Sequence, residues 1–208
     1  MKSNKGKFVI SLGLLLIAAA LFLTAYNLYD NFRAEHSVMQ AIDRLDEIIP
    51  TEGSSLPPAA NLPEEADIPS YVLNPNMEMP AETIDGIGYI GILRIPALDL
   101  ELPVISQWSY PNLKVSPCRY AGSAYTDDFI IAAHNYSSHF GNLKALQEGD
   151  VVTFTDIDGN DFTYEVVERE ILQATASKEM EAGDWDLTLF TCTVSGQSRV
   201  TVRCERTD

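Results

Sequence analysis

Residues 187–204 have the sequence LTLFTCTVSGQSRVTVRC, which predicts two largely apolar strands joined by a short turn. If Ser195 and Gly196 are the two central residues of that turn, the hairpin register pairs Cys192 with Arg199. Directly opposed residues have Cβ atoms ~5 Å apart, so a permanent positive charge is expected beside the thiol. Such a charge stabilises a thiolate, or an oxyanion that forms on a thioester carbon. The hairpin therefore predicts half of an active site.

A base for this thiol must come from three histidines, His36, His134 and His139. His134 follows the apolar run at residues 129–133, which is typical of a strand buried on both faces. His36 lies in a helical stretch near the N-terminal apolar segment, and His139 is predicted to lie in a surface loop. His134 is therefore the favoured partner of the thiol. The alternative is a histidine that only makes hydrogen bonds at a strand end.

The next arginine along the last predicted strand, Arg203, is a rival to Arg199. The proposed register pairs Arg203 with Thr188 instead of Cys192. Four residues along a strand span ~13 Å, which is too far for contact with the thiolate. Arg199 is therefore the predicted cation of the site.

These motifs together resemble the sortases, the cysteine transpeptidases of Gram-positive cell surfaces. The TLFTC strand is followed after a short loop by Arg199, and an upstream apolar strand ends in His134 and Asn135. The resemblance extends over roughly residues 83–208, where the segments GILRIP (91–96), FGNL (140–143) and EGD (148–150) also match. The chain has Ala133 where many relatives have glycine. The loop before Arg199 is short, which leaves the subclass open between class B-like and class D-like.

The resemblance implies a mostly β fold, a closed sortase-type β-barrel with few short helices. Regular short strands separated by turn signals favour the same architecture. The strands are predicted at residues 88–95, 100–105, 129–133, 151–155, 162–167, 187–192 and 200–204.

The residue types predict acyl transfer through a Cys192 thioester, with His134 as acid and then base. The resemblance implies that the substrate is an LPxTG-like sorting signal of a surface protein, and that the acceptor is the amine of a cell-wall precursor or a pilin lysine. The predicted catalytic residues are His134, Cys192 and Arg199. The residues expected to contact substrate are Thr191, Asn135 and Ala133. This chemistry requires no metal and no organic cofactor.

Two other functions stay open from the sequence. One is a membrane-tethered extracellular binding module without catalysis, which would also be acidic. The other is a cysteine peptidase outside the sortases, although Cys192 ends a strand and does not begin a helix as in papain-like enzymes.

The N-terminus predicts a membrane anchor. Residues 8–25 are almost entirely apolar and are long enough for a transmembrane helix, with three lysines before them and no basic residue again until Arg33. The positive-inside rule then places the N-terminus in the cytoplasm and the catalytic domain outside. The alternative is a cleaved secretory signal, because residues 18–20 are three alanines.

The predicted organisation has five parts: a cytoplasmic N-terminus (1–7), a transmembrane helix (8–28), a juxtamembrane helix (29–50), a Pro-rich acidic linker (51–82) and the barrel (83–208).

The formal net charge is −16, so phosphate backbones are repelled and nucleic acid is not expected as a partner.

Two smaller features have competing interpretations. The three cysteines would permit a disulfide between Cys118 and Cys204 beside a catalytic thiol, but the alternation of the last strand favours Cys204 as a core residue. The acidic segment at residues 156–161 superficially suggests a calcium loop. The sequence around Gly159 is better explained as a hairpin turn, for which Asp-Gly is typical.

Overall fold

The computed structural model describes residues 5–50 and 68–207. Four α-helices lie in these residues: α1 (Lys5–Asp46), α2 (Ser70–Leu73), α3 (Tyr110–Leu113) and α4 (Ser177–Met180). The strands are β1 (Glu82–Ile84), β2 (Ile87–Ile95), β3 (Leu100–Ile105), β4 (Cys118–Ala121), β5 (Phe129–Ala133), β6 (Val151–Asp156), β7 (Asp161–Gln173), β8 (Leu187–Cys192) and β9 (Ser198–Arg206). Most of the predicted linker, residues 51–67, and the first four residues of the predicted cytoplasmic N-terminus lie outside the described residues.

The strands form one closed β-barrel. Their hydrogen-bonded order is β1-β2-β3-β4-β5-β8-β9-β7-β6, and β6 pairs back with β2. Eight strands therefore close the barrel, while β1 extends it as a hairpin on β2. The pairs β3–β4 and β5–β8 are parallel and the others antiparallel. The predicted closed barrel with few short helices is confirmed.

Gly91 permits this closure. It pairs with Val104 of β3 and with Asp156 of β6, at a point where the β2–β3 register shifts. Its φ is +152°, and a Cβ atom there would collide with the carbonyl oxygen of Thr155. Only glycine has both this conformation and this close approach available.

Two apolar clusters explain why some strands have continuous apolar runs. Alternate residues of β5 point into the barrel, where Phe129 and Ile131 pack among aromatic side chains of the other strands. Ala132 points outward into a second cluster, which lies between the barrel and α1. All five residues of β5 are buried, so the prediction of a strand covered on both faces is confirmed.

Helix α1 packs on the barrel through its C-terminal half. One face supplies Ala34, Val38, Ala41 and Leu45, which are all buried and follow the 3.6-residue helical period. The N-terminal half is exposed in the isolated chain, and the helix is long and apolar enough to cross a membrane by length and composition. Phe32, near the start of the predicted juxtamembrane helix (29–50), is 67% exposed.

Candidate active site

The predicted nucleophile and base come from neighbouring parallel strands. Ala133, the last residue of β5, pairs with Thr191 of β8. His134 and Cys192 directly follow these two residues, so both lie at the same end of the sheet. Adjacent strands lie ~4.8 Å apart. The Thr191 hydroxyl donates to the Ala133 carbonyl oxygen at 2.8 Å, which ties the two strand ends together.

This bond defines the position of Thr191. Its side chain is buried, with 3% exposure, and its hydroxyl lies in the contact between strands. The structure therefore places Thr191 beneath the site and not on the groove surface, where substrate contact was expected. Asn135 is half-buried and directly follows His134.

The hairpin at the same end carries the cation. Cys192 pairs with Arg199, as the sequence register predicted. The turn itself differs, because the Gly196 N–H donates to the Thr193 carbonyl at 2.8 Å. Val194 and Ser195 are therefore the two central residues, in place of Ser195 and Gly196, and Gly196 follows them with a φ of +72°.

Arg199 is held by the turn that precedes it. Its Nη1 donates to the carbonyl oxygens of Gly196 at 3.1 Å and Ser198 at 3.2 Å. The guanidinium has five N–H donors in a planar fork. The two bonds through Nη1 orient that fork beside the thiol-bearing residue.

A groove of about 240 Å³ contains Cys192, Arg199 and Ala133 among its lining residues. One wall is aromatic, and its members form a continuous set of ring contacts with centroids 5.2, 6.1 and 5.2 Å apart. The rings belong to Trp108, Tyr110, Tyr120 and Phe190. The sequence reasoning missed this wall, because the rings come from β4, β8, the start of α3 and the segment before it. Only the barrel brings these segments together.

His134 is held by its own loop. Its carbonyl oxygen accepts from the Phe140 N–H at 3.2 Å, and its ring lies 4.8 Å from the ring of Tyr136 at an angle of 33°. Burial lowers the pKa of His134. The negative charge of Asp30 opposes this shift, while Lys114 and Arg33 reinforce it.

Comparison with known families decides the identity of this fold. The profile described as "Sortase domain" matches residues 93–207, which is more than half of the chain. The chain belongs to the sortase family. Members of this family are cysteine transpeptidases, and the site of this sortase contains the corresponding residue types. A comparison with curated protein sequences gives no match.

Solved sortases have the same fold. Sortase C1 from Streptococcus agalactiae is 25% identical with a TM-score of 0.54, over 61% of this chain and 71% of that chain. The Clostridium perfringens sortase C solved with the C-terminal cell wall sorting motif is 25% identical with a TM-score of 0.51, over 58% and 71%. Sortase C1 of GBS pilus island 1 is 22% identical with a TM-score of 0.51, over 58% of this chain and 64% of that chain. This sortase thus spans about two thirds of the length of these relatives.

The second histidine of the region is part of the core. His139 has 0% exposure, so the prediction that it lies in a surface loop is wrong. Its ring contacts Tyr136 edge-on, with centroids 5.3 Å apart. Burial and the neighbouring His134 lower the pKa of His139 to about 4, so it is neutral at neutral pH. The glycine and aromatic residues around it in the sequence were the available signal of burial.

The three cysteines of this sortase are free thiols, so Cys118 and Cys204 form no disulfide. Both are buried, and burial raises the pKa of each to about 12. The prediction that Cys204 faces the core is confirmed. Cys192 is half-buried and lines the groove, so it is the accessible thiol among the three.

Arg203 supports the groove from below. It pairs with Thr188 in the register that the sequence predicted, and it is 2% exposed. Its Nε donates to Glu170 at 2.8 Å, Nη1 to the Met180 carbonyl at 2.8 Å and to the Thr188 hydroxyl at 2.9 Å, and Nη2 to the Glu179 carbonyl at 2.7 Å. Arg203 thus fastens α4, which forms part of the groove, to the barrel.

The acidic segment after β6 is a hairpin turn, as predicted, since β6 and β7 pair directly across it. Asp156 is fully buried and accepts hydrogen bonds from the Tyr125 hydroxyl at 2.7 Å and from Asn160. Its carboxylate is therefore used within the fold. Within residues 5–50 and 68–207, no three His, Cys, Asp or Glu side chains lie together as a candidate metal site.

Proposed function

We propose that this chain is a membrane-anchored transpeptidase that cleaves an LPxTG-like sorting signal through a Cys192 thioester. The observation that carries the proposal is the strand register. It brings His134, Cys192 and Arg199 to one end of the barrel, where Cys192 and Arg199 line the groove.

In the first step the Cys192 thiolate attacks the scissile carbonyl carbon, and a carbon–sulfur bond forms. The negative charge moves to the carbonyl oxygen, which the Arg199 guanidinium stabilises. The carbon–nitrogen bond then breaks, and the His134 imidazolium gives its proton to the departing amine. The product is a thioester on Cys192 and a neutral His134.

In the second step an amine acceptor attacks the thioester carbonyl. Neutral His134 takes the proton from the acceptor nitrogen, and Cys192 leaves as a thiolate. Water in place of the amine would give hydrolysis, so the groove must favour the amine. The acceptor that fits the family is the amine of a cell-wall precursor or a pilin lysine.

The substrate assignment rests on the family and on the groove. The Clostridium perfringens neighbour was solved with a cell wall sorting motif. In this chain an aromatic wall beside Cys192 offers apolar surface, which suits the leucine and proline side chains of such a motif.

The location follows from α1. Residues 8–28 would cross the membrane, the basic N-terminus would remain in the cytoplasm, and the barrel would lie outside. A membrane-impermeant thiol reagent added to intact cells should therefore modify Cys192. Protection of Cys192 until the cells are lysed would contradict this orientation.

The reaction is tested with a fluorogenic LPxTG-type peptide and the full-length protein in detergent micelles. Wild type should cleave it, and Cys192→Ala and His134→Ala should not. Hydroxylamine should release the acyl group as a hydroxamate from wild type. Cys118→Ala is the matched control, because its thiol is buried, and it should retain cleavage. Cleavage by Cys192→Ala at the wild-type rate would reject Cys192 as the nucleophile.

A further inference from the structure

Helix α1 is hydrogen-bonded to the loop that follows His134. The Tyr136 hydroxyl donates to Asp30 Oδ2 at 2.5 Å. Both the N–H and the hydroxyl of Ser137 donate to Asn31 Oδ1, at 3.1 and 3.0 Å. These contacts join two segments that are 106 residues apart in the sequence. The first turn of α1 beyond the predicted membrane span therefore lies directly behind the histidine.

Helical packing determines which residue reaches the loop. Asp30 precedes Ala34 by one turn, and Ala34, Val38 and Leu45 are buried against the barrel. Residues at i and i+4 lie on the same helix face. The face that packs on the barrel therefore also presents the Asp30 carboxylate to Tyr136.

Tyr136 connects this carboxylate with the imidazole. Its ring lies against the His134 ring, with centroids 4.8 Å apart, while its hydroxyl is bonded to Asp30. Burial raises the pKa of Tyr136 to about 12, with smaller contributions from the hydrogen bond to Asp30 and from its negative charge. The bond from Tyr136 also lowers the pKa of Asp30. At neutral pH the connection is therefore a neutral phenol and a charged carboxylate.

Several charged or titratable groups face His134, and they act in opposite directions. Burial and the positive charges of Arg33 and Lys114 disfavour the imidazolium, whereas the Asp30 carboxylate favours it. The groups that face His134 come from α1 (Asp30 and Arg33), from the end of α3 (Lys114) and from its own loop (Tyr136 and His139). Cys192 and Arg199 lie at the same end of the barrel, on β8 and β9. The first step of the proposed reaction needs the imidazolium.

We propose that Tyr136 and Asp30 are positioning residues for His134, so that the membrane-anchored helix completes the active site. Tyr136 fixes the plane of the imidazole, and Asp30 holds Tyr136 in place and keeps the imidazolium available. This inference rests on the proposed role of His134 as the proton donor.

The test uses the full-length protein in phospholipid nanodiscs, with Asp30→Asn as the main variant. Asparagine still accepts the Tyr136 hydrogen bond but removes the charge. The pKa of His134, read by NMR of the imidazole in a Cys192→Ala background, should fall by about 0.5–1 pH unit. In the active protein, which retains Cys192, Asp30→Asn should lower kcat/KM roughly threefold to tenfold on the alkaline side of the pH profile, with KM little changed. Asp30→Glu should restore part of the loss.

Two further variants complete the design. Tyr136→Phe keeps the ring and releases Asp30, so we expect a lower kcat with an unchanged KM. Asp43→Asn removes an exposed carboxylate three to four turns further along α1 and should match wild type. An unchanged His134 titration in Asp30→Asn overturns the inference, even if Cys192→Ala and His134→Ala are inactive. Activity in Cys192→Ala would instead reject the proposed function, so the two failures are distinguishable.

Discussion

Replacing Arg203 with methionine tests whether the second arginine of β9 serves structure rather than catalysis. Methionine keeps most of the aliphatic stem but removes every donor. Four acceptors then lose a partner: the Glu170 carboxylate, the Thr188 hydroxyl and the carbonyl oxygens of Glu179 and Met180. Removing one partner of a buried ion pair costs ~3–5 kcal/mol.

The position of the acceptors selects the lower end of that range. The Glu170 side chain is 31% exposed, and Glu179 is exposed at the surface, so water can replace part of what Arg203 supplied. Thr188 is buried and has no such replacement. We therefore expect a loss of about 3 kcal/mol in the free energy of unfolding. For a barrel of roughly 125 residues this lowers Tm by about 10 °C.

Urea unfolding in detergent micelles, followed by tryptophan fluorescence, measures this loss. Both tryptophans, Trp108 and Trp185, lie outside α1 in the barrel domain, so the signal reports on the barrel. Arg199→Met is the matched control. Within residues 5–50 and 68–207, the hydrogen bonds of the Arg199 side chain go only to carbonyl oxygens of its own turn. It should keep the wild-type midpoint and lose peptide cleavage. A change below 1 kcal/mol for Arg203→Met, or an equal destabilisation by Arg199→Met, would refute the reasoning.

Three further predictions follow from buried groups and from barrel closure. The pKa of His139 is about 4 in the folded protein and ~6.5 in the unfolded chain, so between these pH values the unfolded state binds the proton and the folded state does not. The free energy of unfolding therefore falls as the pH falls, by up to ~1.4 kcal/mol per pH unit. Urea midpoints measured from pH 7 to pH 4 should decline less steeply for His139→Phe than for wild type, and equal slopes would contradict the assignment. Gly91→Ala should prevent β2–β6 pairing because its Cβ would collide with the Thr155 carbonyl, so circular dichroism should show a lower Tm or a loss of barrel signal, and a wild-type Tm would disprove this. A methanethiosulfonate reagent should modify one thiol in the native protein and three in urea, because Cys118 and Cys204 are buried; more than one fast-reacting thiol by mass spectrometry would show that their burial is incomplete.

The sequence predicted the strands that bury a full apolar face. The bounds of β3, β5 and β8 agree with the predicted residues, and the register of the last hairpin is confirmed at Cys192 and Arg199. Strands β1 and β4 were missed. β1 has only three residues, and β4 contains Arg119 between short apolar segments, so neither shows a hydrophobic period.

Helix α1 extends through two of the predicted segments. The sequence predicted a transmembrane helix at residues 8–28 and a juxtamembrane helix at residues 29–50, and in the structure one continuous helix runs from Lys5 to Asp46. No glycine or proline occurs between residues 14 and 49, which is the signal that could have predicted continuity.

Strand periodicity, hairpin pairing and the thiol–guanidinium pair were available from the sequence because each depends on residues close together along the chain. The contacts around His134 were not, because they join α1 to a loop more than a hundred residues later, and hydrophobic pattern carries no information on which distant surfaces meet. The burial of His139 and the aromatic wall of the groove likewise arose only when the barrel closed. Closure brings together segments that are far apart along the chain.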